Sequence, residues 1–239
     1  MTDNALALAA ADPTPPDPSG VICVVLAAGS STRMGGRNKL LEPVDGAPMV
    51  ATMVRAALAS CADEVVVVTG KDRERVEACL SGLPVHLVWN PDHAQGLSTS
   101  LKAGISALPG GVRAVVVCLG DMPRVLQGHI DTLVRAFLAD RDGSIFVPTW
   151  QGQRGNPVLW TVDLLPEVGT LAGDVGAKAL MSRHATKVRE VPVDAPGILT
   201  DVDTPRALRE LTAPDDQRLV DHLNPTTTDP DRSECPPSR

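Results

Sequence analysis

No run of about 18 consecutive apolar residues, the length a membrane-spanning helix needs, occurs in the 239-residue sequence, so no membrane span is expected. The first 20 residues hold a short Ala/Leu stretch, yet no basic residue precedes it, and Asp3, Asp12 and Asp17 surround it. A secretory signal carries the opposite charge at its start. Lys and Arg never gather into a run, and the formal charge is −7. Such a chain is poorly suited to nucleic acid, where affinity comes largely from neutralising phosphates. None of the five cysteines pairs as C-x-x-C. Cys23 and Cys118 lie inside apolar runs and read as buried small hydrophobes. The odd, unpatterned set fits a reducing cytoplasm. The histidines (His86, His93, His129, His184 and His222) stand singly, without helical ligand spacing, so no zinc site is expected. No internal repeat is visible.

What remains has the balance of a globular chain, 43% hydrophobic and 21% charged, with length enough for one domain and a real core. Residues 1–20 end in Pro-Thr-Pro-Pro-Asp-Pro-Ser-Gly and read as an extended or disordered arm. The Pro-, Thr-, Asp- and Ser-rich residues 213–239 read as a disordered tail. Between them, 21–212 form the expected domain. Short apolar runs closed by Gly, Asn or Pro predict strands at 21–27, 64–70, 85–89, 113–119 and 144–148, the first two of them buried. Apolar positions three and four apart predict helices at 49–60, 72–80, 97–108 and 126–139. The alternation implies an α/β fold in three layers, a mostly parallel sheet with helices on both faces. Beyond Pro148 the rhythm changes. A polar turn at 150–157 precedes Val158-Leu159-Trp160, helices at 162–168 and 175–183, a strand at 187–193 and a last helix at 206–211. Thr204 is the expected N-cap of that helix, with Pro205 at its first position.

In open sheets of this kind, ligands bind beyond the carboxyl ends of the strands. The first strand runs straight into Ala28-Gly29-Ser30-Ser31-Thr32-Arg33-Met34-Gly35-Gly36-Arg37-Asn38-Lys39. Glycines allow close backbone approach to an anion, and Arg33, Arg37 and Lys39 add positive charge, so this is a loop for phosphates. It is no Walker A motif, because Gly29 to Gly35 is one residue too long and Lys39 stands four past Gly35. No G-x-G-x-x-G dinucleotide fingerprint occurs either. Gly120-Asp121-Met122-Pro123 follows the fourth strand. A hard carboxylate there can hold Mg²⁺ against phosphate oxygens. In Asp201-Val202-Asp203, alternate residues of an extended segment point to one side, so both carboxylates can join Asp121 on a metal.

Six ordered motifs, LAAGSSTRMGGRNKLL, NPDHAQGLSTSLKAG, LGDMP, RGNPVLW, GDVGAKAL and ILTDVDTP, resemble those of the molybdenum cofactor nucleotidyltransferases, most of all the cytidylyltransferase branch. The resemblance spans roughly residues 21–211. It implies a Rossmann-like nucleotidyltransferase fold and Mg²⁺-dependent transfer of CMP from CTP to molybdopterin cofactor, for maturation of molybdenum hydroxylases. It implies a nucleotide held by Leu26, Ala27, Ala28, Gly29, Ser30 and Ser31, with Gly70, Asn90 and Ser98 around it and Arg33 and Lys39 on the triphosphate. Arg33, Lys39 and Asp121 would be catalytic, and Asp121, Asp201 and Asp203 would bind the metal. Gly155, Asn156, Pro157, Gly173, Asp174 and Gly176 would meet the pterin. The guanylyl branch usually reads Leu-Ala-Gly-Gly where this chain has Leu26-Ala27-Ala28-Gly29, which favours cytosine. Asn156 departs from the His that the cytidylyl branch often carries.

No Ser-His-Asp set or general base is evident near the loop, and a phosphate nucleophile needs none. Two other classes compete. Some proteins resembling this family are NAD(P)H-dependent reductases of the nicotine blue oxidoreductase type. The missing dinucleotide fingerprint and the retained Lys39 and Asp121 weigh against that reading. A non-catalytic chaperone delivering cofactor to a hydroxylase apoenzyme is the other, and the complete phosphate-binding motifs weigh against it.

Overall fold

The computed structural model describes residues 18–168, 170 and 176–212. Most of the expected arm and all of the expected tail lie outside the described residues, as do Gly173 and Asp174. Ser19 and Gly20 belong to the fold. Their amides donate to the two carboxylate oxygens of Asp63 at 2.9 and 2.7 Å.

The chain runs β1 (Val21–Ala27), a short hairpin β2 (Pro43–Val44) and β3 (Ala47–Pro48), α1 (Met49–Ala59), β4 (Glu64–Thr69), α2 (Arg73–Cys79) and β5 (His86–Trp89). Then come α3 (Leu97–Ser106), β6 (Ala114–Leu119), α4 (Gln127–Ala139), β7 (Ile145–Trp150), β8 (Gln153–Arg154) and β9 (Val158–Thr161). The described part closes with α5 (Leu165–Val168), α6 (Gly176–Arg183), β10 (Val188–Pro192) and α7 (Pro205–Thr212). The main sheet has the order β10-β7-β9-β6-β1-β4-β5, with β8 on β7. β1 pairs in parallel with β4 on one side and β6 on the other.

All seven residues of β1 are buried because the sheet is covered on both faces. Val21, Cys23, Val25 and Ala27 join the core shared with α1 and α4. Ile22, Val24 and Leu26 join the opposite core, with Leu101 of α3 and Leu180 of α6. The period of two thus assigns alternate residues to two cores. Burying one such aliphatic side chain contributes about 1.5–3 kcal/mol. Gly104 brings α3 tight onto β1, since a Cβ there would lie 2.6 Å from Val24 Cγ1. Cys23 and Cys118 are free and buried, and a hydrogen bond with Cys23, together with burial, pushes the Cys118 thiol up.

Strand direction and turn geometry refine the expected, mostly parallel sheet. β9 is antiparallel to both β6 and β7, because the polar 150–157 segment is a reversal and not a crossover. The sheet is therefore mixed. Gln151 and Gly152, at φ 50° and 77°, make a two-residue turn into β8. Asp45 and Gly46, at 50° and 83°, make the same turn between β2 and β3. The helix expected at 162–168 is a 3-10 turn (Val162–Leu164) running into α5.

Candidate functional site

The register aligns Leu26 with Leu119 and Ala27 with Thr69, so the loops after β1, β4 and β6 leave the sheet along one edge. The glycine-rich loop after β1 is braced there. Ser31 takes a left-handed conformation at φ 50°, and its Oγ accepts from the Lys39 amide at 3.1 Å. Asn38 is buried; its Oδ1 accepts from the Leu40 amide at 3.1 Å and its Nδ2 donates to Asp72 Oδ2 at 3.1 Å. Lys71 Nζ donates to the Ser30 carbonyl at 2.8 Å. The β4–α2 connection therefore holds the loop from behind, and its glycines stay outside, Gly29, Gly35 and Gly36 all exposed.

Behind the loop lies a charged trio. The Gly120 amide donates to the Leu26 carbonyl at 3.0 Å, and a Cβ on Gly120 would come 3.1 Å from that oxygen, so β6 can turn sharply into Asp121. The Asp121 carbonyl accepts from the Val202 amide at 3.1 Å. Val202 is buried with Val44 and Met49, against Ala207 and Leu208 of α7. Thr204 caps that helix, its Oγ1 accepting from the Ala207 amide at 3.1 Å. These contacts deliver Asp203 to the site. Lys39 Nζ lies 2.5 Å from Asp121 Oδ2 and 2.6 Å from Asp203 Oδ1, with only 12% of its side chain exposed. Arg33, 70% exposed, reaches Asp203 Oδ2 at 2.8 Å. Burial opposes the Lys39 ammonium, but Asp121 and Asp203 outweigh it and hold its pKa above the ordinary 10.5. Asp203 is held below its usual 3.8, first by the hydrogen bond from Lys39, with partial burial working against it.

A cleft of about 380 Å³ opens over this trio, within the size range of ligand sites. Leu26, Ala28, Gly29, Ser30, Ser31, Arg33, Lys39, Asp121 and Asp203 line it. Four residues expected around the nucleotide do not. Ala27 faces the α1 core, and Gly70 is packed between Ala28 and His93. Asn90 is buried and spends its amide on Thr99 Oγ1 and Ser100 Oγ, at 2.9 and 3.0 Å. Ser98 is buried in the first turn of α3. Gly155, Asn156 and Pro157 also lie off the cleft. The Gly155 and Asn156 amides donate to the Pro148 and Ile198 carbonyls at 2.9 and 3.0 Å, bracing the segment that leads to Asp203. A Cβ on Gly155 would fall 2.3 Å from Ile198 O. Gly176 opens α6. Thr32, His93, Gly96 and Ser100 line the cleft without having been singled out as site residues; from the 90–100 loop the resemblance offered only Asn90 and Ser98.

Asp201 is exposed, and among the described residues no three His, Cys, Asp or Glu side chains form a group able to hold an ion. The expected carboxylate set reduces to Asp121 and Asp203, joined through Lys39. Asp121 Oδ1 is buried without any hydrogen-bond partner. Carboxylate oxygens are rarely left so, and an oxygen-seeking divalent cation fits it. No helix among the described residues is long and apolar enough to cross a membrane.

Residues 23–188 match the MobA-like NTP transferase domain. The chain is 30% identical over 190 residues to the molybdenum cofactor cytidylyltransferase of Escherichia coli K12, covering 78% of this chain and 93% of that protein. It is 29% identical over 189 residues to the nicotine blue oxidoreductase of Paenarthrobacter nicotinovorans, covering 76% and 91%. Among solved structures, a homologue of Mycobacterium tuberculosis Rv0371c from Mycobacterium sp. strain JC1 superposes with a TM-score of 0.74 at 27% identity, over 82% of this chain and 96% of that one. The manganese complex of Rv0371c from M. tuberculosis H37Rv gives 0.69 at 25% identity, over 80% and 97%. These likenesses make the chain a member of the MobA-like NTP transferase family and a nucleotidyltransferase, with the glycine-rich loop, its largely buried Lys39 side chain and the carboxylates beside it at the cleft.

Proposed function

We propose that the protein transfers CMP from CTP to the terminal phosphate of molybdopterin cofactor, with release of pyrophosphate, through the single domain at 21–212. The observation that carries this reading is Lys39 held between Asp121 and Asp203 at the base of a cleft walled by the glycine-rich loop. The likeness to the Escherichia coli cytidylyltransferase supports the choice of substrates.

A phosphate monoester has a second pKa of about 6, so the acceptor is mostly dianionic at neutral pH and needs no general base. One of its oxygens forms a bond to the α-phosphorus of CTP while the α-phosphorus–bridging-oxygen bond breaks. The electron pair leaves with pyrophosphate. Charge therefore grows on the leaving group, and Lys39 and Arg33 are the cations of the cleft that neutralise it. Asp203 pairs with both, and on this reading the triphosphate would compete with that carboxylate for them. Asp121, through its unpartnered Oδ1, and Asp203 would hold Mg²⁺; when bound, it supplies positive charge to phosphate oxygens. Ala28 lines the cleft, and on this reading its methyl leaves less room for a purine base than a glycine would. On the same reading the acceptor is met by Gly155, Asn156 and Pro157 and by the 173–176 segment, and a molybdenum hydroxylase apoenzyme receives the product.

Incubation with Mg²⁺, molybdopterin cofactor and each NTP, followed by pyrophosphate release, tests the reading. Release with CTP alone supports it. The 29% identity to nicotine blue oxidoreductase keeps a reductase as the second reading. Oxidation of NADPH with a coloured acceptor, and no NTP consumed, would favour that instead.

A further inference from the structure

Among the described residues, two buried side-chain polar atoms lack a hydrogen-bond partner, Asp121 Oδ1 and His93 Nδ1. Both residues line the same cleft. Buried polar atoms are nearly always paired in folded proteins. Two exceptions on one cleft therefore point to partners that arrive with the ligand. Asp121 is matched by a cation. His93 needs a partner of a different kind.

The backbone that carries the ring is held by hydrogen bonds. His93 opens a 3-10 turn, His93–Gln95, directly before α3. The Asp92 amide donates to Asn90 Oδ1 at 3.0 Å, and Thr99 Oγ1 donates to the Asp92 carbonyl at 3.0 Å. Asn90 ties the same loop to Thr99 and Ser100. Gly70 lets the ring in, since a Cβ there would lie 2.7 Å from both His93 Cβ and Ala28 Cβ. His93 therefore sits beside Ala28, whereas Lys39 and Arg33, the groups for the triphosphate, gather on Asp121 and Asp203.

We infer that His93 is a specificity-determining residue of the nucleotide site, its Nδ1 hydrogen-bonding the pairing edge of the bound pyrimidine. The inference rests on the CTP reading above. Cytosine presents an amino donor at N4, where uracil presents a carbonyl oxygen. An imidazole with its proton on Nε2 offers Nδ1 as an acceptor. That lone pair receives the cytosine amino group and opposes the uracil oxygen. A site built to hydrogen-bond one substrate group rejects the analogue lacking it far better than an apolar pocket does.

Calorimetric titration of wild-type, His93→Ala and His93→Asn protein with CTP, UTP and inorganic tripolyphosphate, all with Mg²⁺, tests this. His93→Ala is expected to weaken CTP about tenfold or more, the loss of one good hydrogen bond to a polar group. It should erase most of the preference over UTP and leave tripolyphosphate within about twofold. His93→Asn, whose amide reaches the place of Nδ1, is expected to recover most of the CTP affinity. Unchanged CTP affinity and preference in His93→Ala overturns the inference alone, as does an equal weakening of CTP and tripolyphosphate, which would mean a loop-holding role. Wild-type protein that binds tripolyphosphate but not CTP overturns the CTP reading, and this inference with it.

Discussion

Lys39 and Asp121 stand 82 residues apart in the chain, yet their charged atoms meet at 2.5 Å at the base of the cleft. One comes from the loop after β1 and the other from the turn after β6, and the parallel pairing of those strands brings them together.

If that pair handles the triphosphate, Lys39→Ala and Asp121→Asn each lose about 100-fold or more in turnover, the range for removing one preorganised charge partner. Circular dichroism should show the fold retained in both. Lys39→Arg should not restore activity. A planar fork cannot take the place of a compact ammonium seated between two carboxylates at 2.5 and 2.6 Å. Near-normal CMP transfer by Lys39→Ala or Asp121→Asn would remove that residue from the mechanism, and near-normal transfer by Lys39→Arg would show that charge alone suffices there.

The same network sets a pH dependence. Asp203 has its pKa depressed below 3.8, so its charged form contributes stability that is complete above that value and lost as pH falls through the folded pKa. Lys39 has its pKa raised above 10.5, so its contribution is complete below that value and lost only at higher pH. The melting-temperature gap between wild-type and Asp203→Asn should therefore be flat from about pH 5 to 9. It should close in acid below pH 3.8 and again in alkali above pH 10.5, where Lys39 loses its proton. A gap that changes near neutrality would contradict this ionisation scheme.

Asn38 is the latch of the loop. It is buried, and both ends of its amide are bonded. Asn38→Ala leaves buried groups unpaired and should cost about 1–3 kcal/mol. In a domain of this size that is roughly 2–12 °C in melting temperature. Nucleotide affinity should fall in the same variant, because Ser31 Oγ donates to Asn38 Oδ1 at 3.4 Å and shapes the loop. Asn38→Asp keeps the acceptor that meets Leu40 but faces Asp72, and should recover only part.

The centre of the sheet was legible because its strands are unbroken apolar runs, such as Val21–Ala27, which make sense only when buried on both faces. Strand direction was not legible. Val158–Thr161 has the same apolar character as its neighbours, and only the reversal at 150–157 makes it antiparallel. Lys39, Asp121 and Asp203 carried their own signals: charge in a glycine loop, an acid at a strand end, and alternation. Asp201 satisfied the same alternation rule yet stays outside, because that rule fixes a side and not a distance. The braces were silent in the sequence, since Lys71 and Asn38 matter through contacts 41 and 34 residues away. His93 looked like any isolated histidine until Gly70 brought it against Ala28.

Gly29 separates what the fold needs from what a ligand needs. A Cβ built on it meets nothing within 4 Å, and its backbone is not in the left-handed region that favours glycine. Nothing in the protein itself therefore requires glycine at this position. A phosphate lying against the backbone would require it, because a methyl there pushes the anion away from the amides. Gly29→Ala should melt within about 1–2 °C of wild-type, the small change expected at a site with no packing to lose. Its KM for nucleotide should rise about tenfold or more, equivalent to about 1.4 kcal/mol of binding. Gly120→Ala is the contrasting control. Its Cβ would press on the Leu26 carbonyl at 3.1 Å and Leu40 Cδ2 at 3.3 Å, so stability should fall together with activity. If Gly29→Ala bound nucleotide normally, the phosphates would have to lie elsewhere in the cleft.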